Sequence, residues 1–402
     1  MKSLKMAGTI AIAAAALLIL TPGAGRTSTC MEAPKADAAR VLHRAMKLQE
    51  EKKGKEAMNL LAKTMAEGKI NHYLIPYHLG NHYAERGNNE KALENYLAAE
   101  KLCPEFYGTH QNIGRAAWEL ERHDLAAKHL VRAFELQEKK NPDLLYNAAV
   151  ISITGGRMKR ALPLLQRLLA GKEFEPQFKW LKTLVGVCAE TEKSSPALST
   201  MERLKPKMKG IPEFWRLKAL VHVGKGQYRK AVSDLHVFNV MEPELGPSDR
   251  GLLADLCMHT GLPLAAAAHY EKLPKKDLAL YRKLASAYLT GCRPDRSVDA
   301  INRALKHHRR ADLYFMRGRI EFDQEKYSAA FQSFDECLAL NPKNGKAHLL
   351  KGYSAFKMGR DRLAVKALKV AANYPAQKKE ASRMLGWLDR KIAEEATESN
   401  SG

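Results

Sequence analysis

Apolar residues recur along this chain with the 3.6-residue period of helices, in pairs of helical segments separated by short breaks. The stretch 73–104 shows the unit most completely. With residue 73 as position 1, Leu79, Gly80, Tyr83, Gly87, Ala92, Tyr96, Ala99 and Pro104 stand at positions 7, 8, 11, 15, 20, 24, 27 and 32. Ala92, Tyr96 and Ala99 form a narrow apolar seam on one helix face. Gly80 and Ala92 are small where two antiparallel helices must touch. Gly87 is free to take φ > 0 at the end of the first helix, and Pro104 stops the second. The pattern predicts a helix–turn–helix unit that cannot bury its own apolar face and therefore needs neighbours.

The unit recurs. A looser copy spans 38–72, with Ala45, Ala57 and Leu61 in phase and Gly54 as the expected turn residue. Copies at 107–140 (Gly114, Ala126, Leu130, Ala133) and 142–176 (Ala149, Gly156, Ala161, Leu165) follow, the latter opening on Pro142, which suits a first helical turn. The region 177–210 keeps helical spacing in Trp180, Leu184, Ala197, Met201 and Leu204. Its connection at 191–196 and its Lys205-Pro206-Lys207 break the pattern, so a distorted repeat and a flex point between two lobes, 38–176 and 211–375, are expected there. Further copies occupy 212–246, 247–277, 278–310, 311–344 and 345–375, the last two starting 34 residues apart. Residues 376–395 read as one more helix, apolar through Ala381, Leu385, Leu388 and Ile392 and charged on its other side, which suits a cap. The polar tail 396–402 reads as disordered. No sustained period-two run or hairpin dipeptide argues for a strand.

This spacing resembles the tetratricopeptide repeat (TPR) family, a helix–turn–helix repeat of 34 residues, and the resemblance covers nearly all of 38–375. It implies an all-α superhelix (an α-α solenoid) of about ten repeats with a C-terminal capping helix. It also implies that the first helices line a concave groove for an extended peptide or a partner helix. Family groove positions fall on Tyr77, His78 and Asn81, then Gln111, Asn112, Arg115 and Trp118, then Tyr146 and Asn147. Amides, aromatics and one Arg suit a peptide backbone and a carboxylate, although the same residues can serve to tie neighbouring helices together. The family's carboxylate clamp is matched by Arg115 and not by His43 or Met46. In the second lobe the same positions give Arg282 and Ser286, then Phe315, Arg319 and Phe322, then Leu349, Tyr353 and Phe356. That lining is more apolar and would suit an amphipathic helix or self-association. The runs 252–274 and 280–288 are also similar to exported TPR accessory proteins of TonB-type envelope systems.

Composition adds an address. Lys2 and Lys5 precede an apolar run at 6–20 and then small residues, the layout of a secretory signal over 1–25, with a linker over 26–37. The expectation is a cleaved signal and a periplasmic protein; an uncleaved anchor, or lipidation of Cys30, is the alternative. Export permits disulfides. Among six cysteines no CxxC occurs, and Cys188, Cys257 and Cys337 fall at core positions. If a bridge exists, Cys257 with Cys292 is the pair that adjacent repeats suggest. The formal charge of +22 is spread through every repeat. It reads as a basic solvated surface, with attraction to acidic polymers or lipid surfaces as the alternative, and an exported chain does not meet nucleic acid.

Catalytic signatures are absent: no HExxH, GxSxG, Walker loop or GxGxxG in context. His78 and His82 share a helix face, and His307-His308 lies at a helix end where cations complement the dipole. Neither pair supplies a third ligand, and no metal or cofactor is expected. The reading is a non-enzymatic scaffold for protein–protein interaction.

Overall fold

The computed structural model describes residues 29–192 and 194–400, and every regular element among them is a helix. The expected signal segment 1–25 lies outside the described residues. The chain divides into two compact units, ending and beginning at Val187 and Cys188. The first unit holds a short 3-10 turn at Thr29–Met31 and four hairpins. These are α1 (Ala36–Glu50) with α2 (Gly54–Glu67), α3 (Leu74–Glu85) with α4 (Asn89–Leu102), α5 (Tyr107–Glu119) with α6 (His123–Leu136), and α7 (Pro142–Thr154) with α8 (Met158–Leu169). Most of α9 (Phe178–Glu190) completes it. The second unit begins with α10 (Ser194–Met208) and stacks α11 (Pro212–Gly224) with α12 (Tyr228–Met241), and α13 (Pro247–His259) with α14 (Pro263–Glu271). It continues with α15 (Leu278–Thr290) and α16 (Pro294–Leu305), α17 (Ala311–Asp323) and α18 (Tyr327–Leu340), and α19 (Gly345–Lys357) and α20 (Asp361–Ala371), and ends on α21 (Pro375–Asn400).

One backbone device makes every hairpin turn. A single residue with positive φ stands two places after each first helix and two before each second. It is Lys52, Gly87, Glu121, Gly156, Glu192, Gly226, Gly261, Cys292, Glu325 and Gly359 in chain order. The left-handed conformation reverses the chain within three residues and favours glycine, because a Cβ there crowds the following carbonyl. Half of these turns use another residue. In the first hairpin Lys52, at φ 59°, makes the turn, and Gly54, the expected turn residue, instead opens α2.

Small residues set how closely the paired helices pack. A Cβ added to Gly80 would lie 2.6 Å from the Tyr96 ring, one on Gly114 2.7 Å from Leu130, and one on Gly318 2.8 Å from Phe334. These distances are below any real carbon contact, so position 8 of those repeats must stay glycine while position 24 stays large. The apolar seams then close over side chains such as Leu61, Ile113, Leu165, Leu235, Leu284 and Phe334, all essentially without exposure.

Across 177–210 the chain forms two helices, α9 and α10, and the boundary between the compact units falls within α9. Pro196 sits in the first turn of α10, where its missing N–H has no helical partner to lose, and Pro206 lies inside the helix near its end. Two sequence expectations change here. The last helix runs to Asn400, so 396–400 is helical rather than disordered. The disulfide joins Cys30 to Cys103, 73 residues apart, and ties the segment before α1 to the end of α4. Cys257 and Cys292 are not bridged, because Cys257 is buried in α13 and Cys292 occupies an exposed turn. The Cys30 sulfur, read from the sequence as an alternative lipid attachment point, is taken up in that bridge.

Candidate functional site

In the first unit the expected groove residues come from α3, α5 and α7. The Asn81 side-chain carbonyl accepts from the Tyr96 hydroxyl at 2.8 Å and from the Asn112 amide at 2.9 Å, so one residue joins α3, α4 and α5. Tyr77 packs beside them, 5.2 Å between ring centroids from Phe106 and 5.5 Å from His78. Burial raises the Tyr77 phenol, with Asn81 and Asn112 pulling the other way through hydrogen bonds. Burial also pulls the His78 imidazole down to about 4, with His82 adding to it, so His78 is neutral at physiological pH. Farther along, the Tyr146 hydroxyl pairs with Thr183 Oγ1 at 3.1 Å, and Lys179 reaches both Asp143 at 3.2 Å and the Tyr146 ring. These contacts fasten α7 to α9. Trp118 sits edge-on to His123.

Tyr77, Asn81, Asn112 and Tyr146 therefore spend polar atoms on stacking one repeat against the next. Gln111 and Arg115 on α5 remain exposed, and Asn147 on α7 is half-buried. No acidic group among the described residues forms an ion pair with Arg115. Its charge acts on the Tyr96 phenol, which burial has raised. The arrangement offers one exposed guanidinium without an acidic partner beside an engaged amide–tyrosine network.

The second unit uses its first helices differently. Arg282 on α15 is paired with Asp312 on α17, which also accepts from Arg310 at 2.9 Å, so Arg282 is a staple rather than a free contact. Phe315 rests on Phe334 and Phe322 on Tyr327, both half-buried, while Arg319 is exposed. Tyr353 donates to Glu380 at 2.8 Å, Phe356 meets Trp387 edge-on, and Leu349 is buried. The last three are covered by α21. The apolar lining expected in the tenth repeat is thus the seat of the capping helix.

Sequence reasoning missed the repeat-to-repeat staples. Arg216 to Asp249 at 2.7 Å and Lys283 to Asp255 at 2.7 Å join first helices 33 and 28 residues apart. Such a pair shows in a sequence only as opposite charges about one repeat apart. It also missed a network built on the buried Lys218, His222 and Asp234, in which Lys218 meets the exposed Glu202 at 2.7 Å and Asp234 at 3.6 Å while His222 meets Asp234 at 2.6 Å. These groups clamp α10, α11 and α12 together.

A family model described as tetratricopeptide repeat matches residues 112–176, 282–345 and 315–378, in register with the hairpins above. The chain carries tetratricopeptide repeats over these residues. Among solved structures of similar fold is MamA, at 20% identity and TM-score 0.35, over 42% of this chain and 94% of that one. Another is YrrB, described as a TPR protein with an unusual peptide-binding site, at 20% identity and TM-score 0.35, over 50% of this chain and 96% of that one. A tetratricopeptide repeat protein from Parabacteroides merdae ATCC 43184 aligns at 16% identity and TM-score 0.33, over 70% of this chain and 98% of that one. No curated protein matches the chain.

Proposed function

We propose that this TPR protein is a non-enzymatic scaffold that docks a segment of a partner protein on the first-helix face of its first unit, and that it works outside the cytoplasm. The observation that carries the docking reading is Arg115, an exposed cation without an acidic partner, with exposed Gln111 one turn before it on the same helix. A guanidinium takes a carboxylate with two parallel hydrogen bonds, and an amide reads a peptide backbone. Export is supported by the signal-like segment 1–25 and by the Cys30–Cys103 bridge, which an oxidising compartment maintains. The bridge also weighs against a lipid on Cys30. Within the envelope, the runs 252–274 and 280–288 favour an assembly of the TonB type.

The net charge of +22 favours a second reading, attachment to an anionic polymer or lipid surface. Both are tested by recovering partners from an envelope extract with the wild type and with Gln111→Ala/Arg115→Ala, at low and raised salt. Specific docking predicts discrete partners that the double variant loses while its helical content is unchanged. Equal recovery by both proteins overturns the assignment. Binding that collapses with salt in both moves the function to the surface charge.

A further inference from the structure

Where α4, α5 and α6 meet, three potential ligand atoms face one point. His110 Nδ1 and His129 Nδ1 lie 3.0 Å apart, and Glu100 Oε1 lies 3.7 Å from the first and 3.9 Å from the second. Both imidazoles are buried, and the carboxylate is about one-quarter exposed. The triangle has its centre about 2.1 Å from each corner, the length of a zinc–nitrogen or zinc–oxygen bond. A tetrahedral ion would hold its ligands about 3.3 Å apart, inside the observed range.

Protons point the same way. His110 Nε2 lies 2.8 Å from the Pro104 carbonyl and donates to it, so in the neutral ring Nδ1 carries the lone pair. An outer hydrogen bond to a backbone carbonyl is how ligating histidines are oriented. Without an ion, His129 Nδ1 has to be protonated to face that lone pair. Glu100 Oε1 is then too far from both nitrogens for a hydrogen bond. The tenth repeat supplies a comparison. His348 occupies the position of His110 and bonds the Pro342 carbonyl at 2.9 Å, yet the places of His129 and Glu100 hold Ala367 and Leu338. The histidine–carbonyl bond is thus a repeat feature, and the second histidine and the carboxylate are what the junction of the second and third repeats adds.

We infer that Glu100, His110 and His129 form a divalent transition-metal site, whose nitrogen–oxygen set suits Zn2+, with a water in the fourth position on the exposed Glu100 side. Its role is structural: one ion would clip three successive helices of the first unit.

The test uses the untagged, metal-stripped protein, titrated with Zn2+ against a chromophoric chelator and with Co2+ by visible absorption. The wild type should take up one equivalent, and Co2+ should give the intense bands of four-coordination. Glu100→Gln and His129→Gln should weaken binding at least about 100-fold, more than the loss of an outer-shell partner. His348→Gln and the His307→Gln/His308→Gln pair should bind as the wild type does. Zn2+ should also raise the thermal midpoint of the wild type and not of Glu100→Gln, a substitution that keeps the side chain's size and shape. No stoichiometric uptake by the wild type overturns the inference. So does undiminished uptake by Glu100→Gln and His129→Gln, or six-coordinate Co2+ spectra.

Discussion

The Cys30–Cys103 bridge closes a loop of 73 residues around the first two hairpins. In the chain-entropy account, a cross-link of that span removes about 15 cal/mol/K from the unfolded ensemble, or about 4 kcal/mol at 25 °C. The stabilisation falls on a limited part of the molecule. In a stack of repeats each hairpin leans on its neighbours, so the span from α1 to α4 gains most and distant hairpins gain through coupling alone. Among the described residues the hairpin of α1 and α2 is the first repeat, buried through Leu42, Ala45, Leu48 and Leu61, with a repeat packed on one side only. It is therefore the part nearest to fraying. Cys30→Ser is the cleaner perturbation, since Cys103 is fully buried and Cys30 is not. Urea unfolding followed by far-UV circular dichroism should show an early transition in Cys30→Ser, and in the wild type under reductant, that merges with the main one when the bridge is intact. Amide exchange should speed up across α1 and α2 and hold steady in α7 and α8. Thiol titration after unfolding should find four equivalents in the oxidised wild type. Six equivalents, or the same exchange rates in α1 with and without reductant, would refute the reasoning.

Other tests follow from the fold. Replacing left-handed Glu121 or Glu325 with Gly should raise stability by about 0.5–1 kcal/mol, and Gly226→Ala should lower it by about 1 kcal/mol, read as shifts of the urea midpoint. Gly318→Val should cost about 1–3 kcal/mol, because its first carbon already falls on the Phe334 ring; an unchanged midpoint would disprove the close approach. Glu271 is held below the usual carboxylate range chiefly by hydrogen bonding to Arg303, whose nitrogens lie 2.6 and 3.1 Å from it. Its contribution is present above the unfolded value near 4.5 and is lost as pH falls through the lower folded value. Wild type should lose stability over that acid range relative to Glu271→Gln, by less than about 1 kcal/mol because both partners are about one-third exposed.

The hairpins were legible because a repeat states its geometry many times over. Gly80 opposite Tyr96 and Ala92 against the first helix could be placed from one 34-residue window, and the other copies only had to agree in phase. Turns were legible where glycine filled them, as at Gly87 and Gly156. They were not where Lys52 or Glu121 did, because an ordinary residue forced left-handed leaves no mark of its own in the sequence. Long-range partners stayed hidden for another reason. Cys30 meets Cys103, and Glu100 meets His110 and His129, only after helices stack, so their separations along the chain carry no period.

The candidate site follows the same division between what stacking uses and what it leaves. Each first helix must bind its neighbours, and it does so with the polar residue types that also recognise peptides. Asn81 is the plainest case: with Tyr96 and Asn112 both donating to its one carbonyl oxygen, it offers a ligand only its amide hydrogens. Arg282 and Tyr353 are likewise held by Asp312 and Glu380. A residue at a groove position is therefore weak grounds for a contact, and one left over after the staples are assigned is stronger. By that criterion the second unit keeps Arg319 and little else of its expected lining, while the first keeps Gln111 and Arg115 on one helix. Selectivity for a partner should accordingly move with Arg115→Ala far more than with Asn112→Ala. The latter should instead lower stability, since it strips one donor from the amide that joins α3 to α5. Equal binding losses in the two variants, at equal stability, would show that the stapled amides read the partner after all.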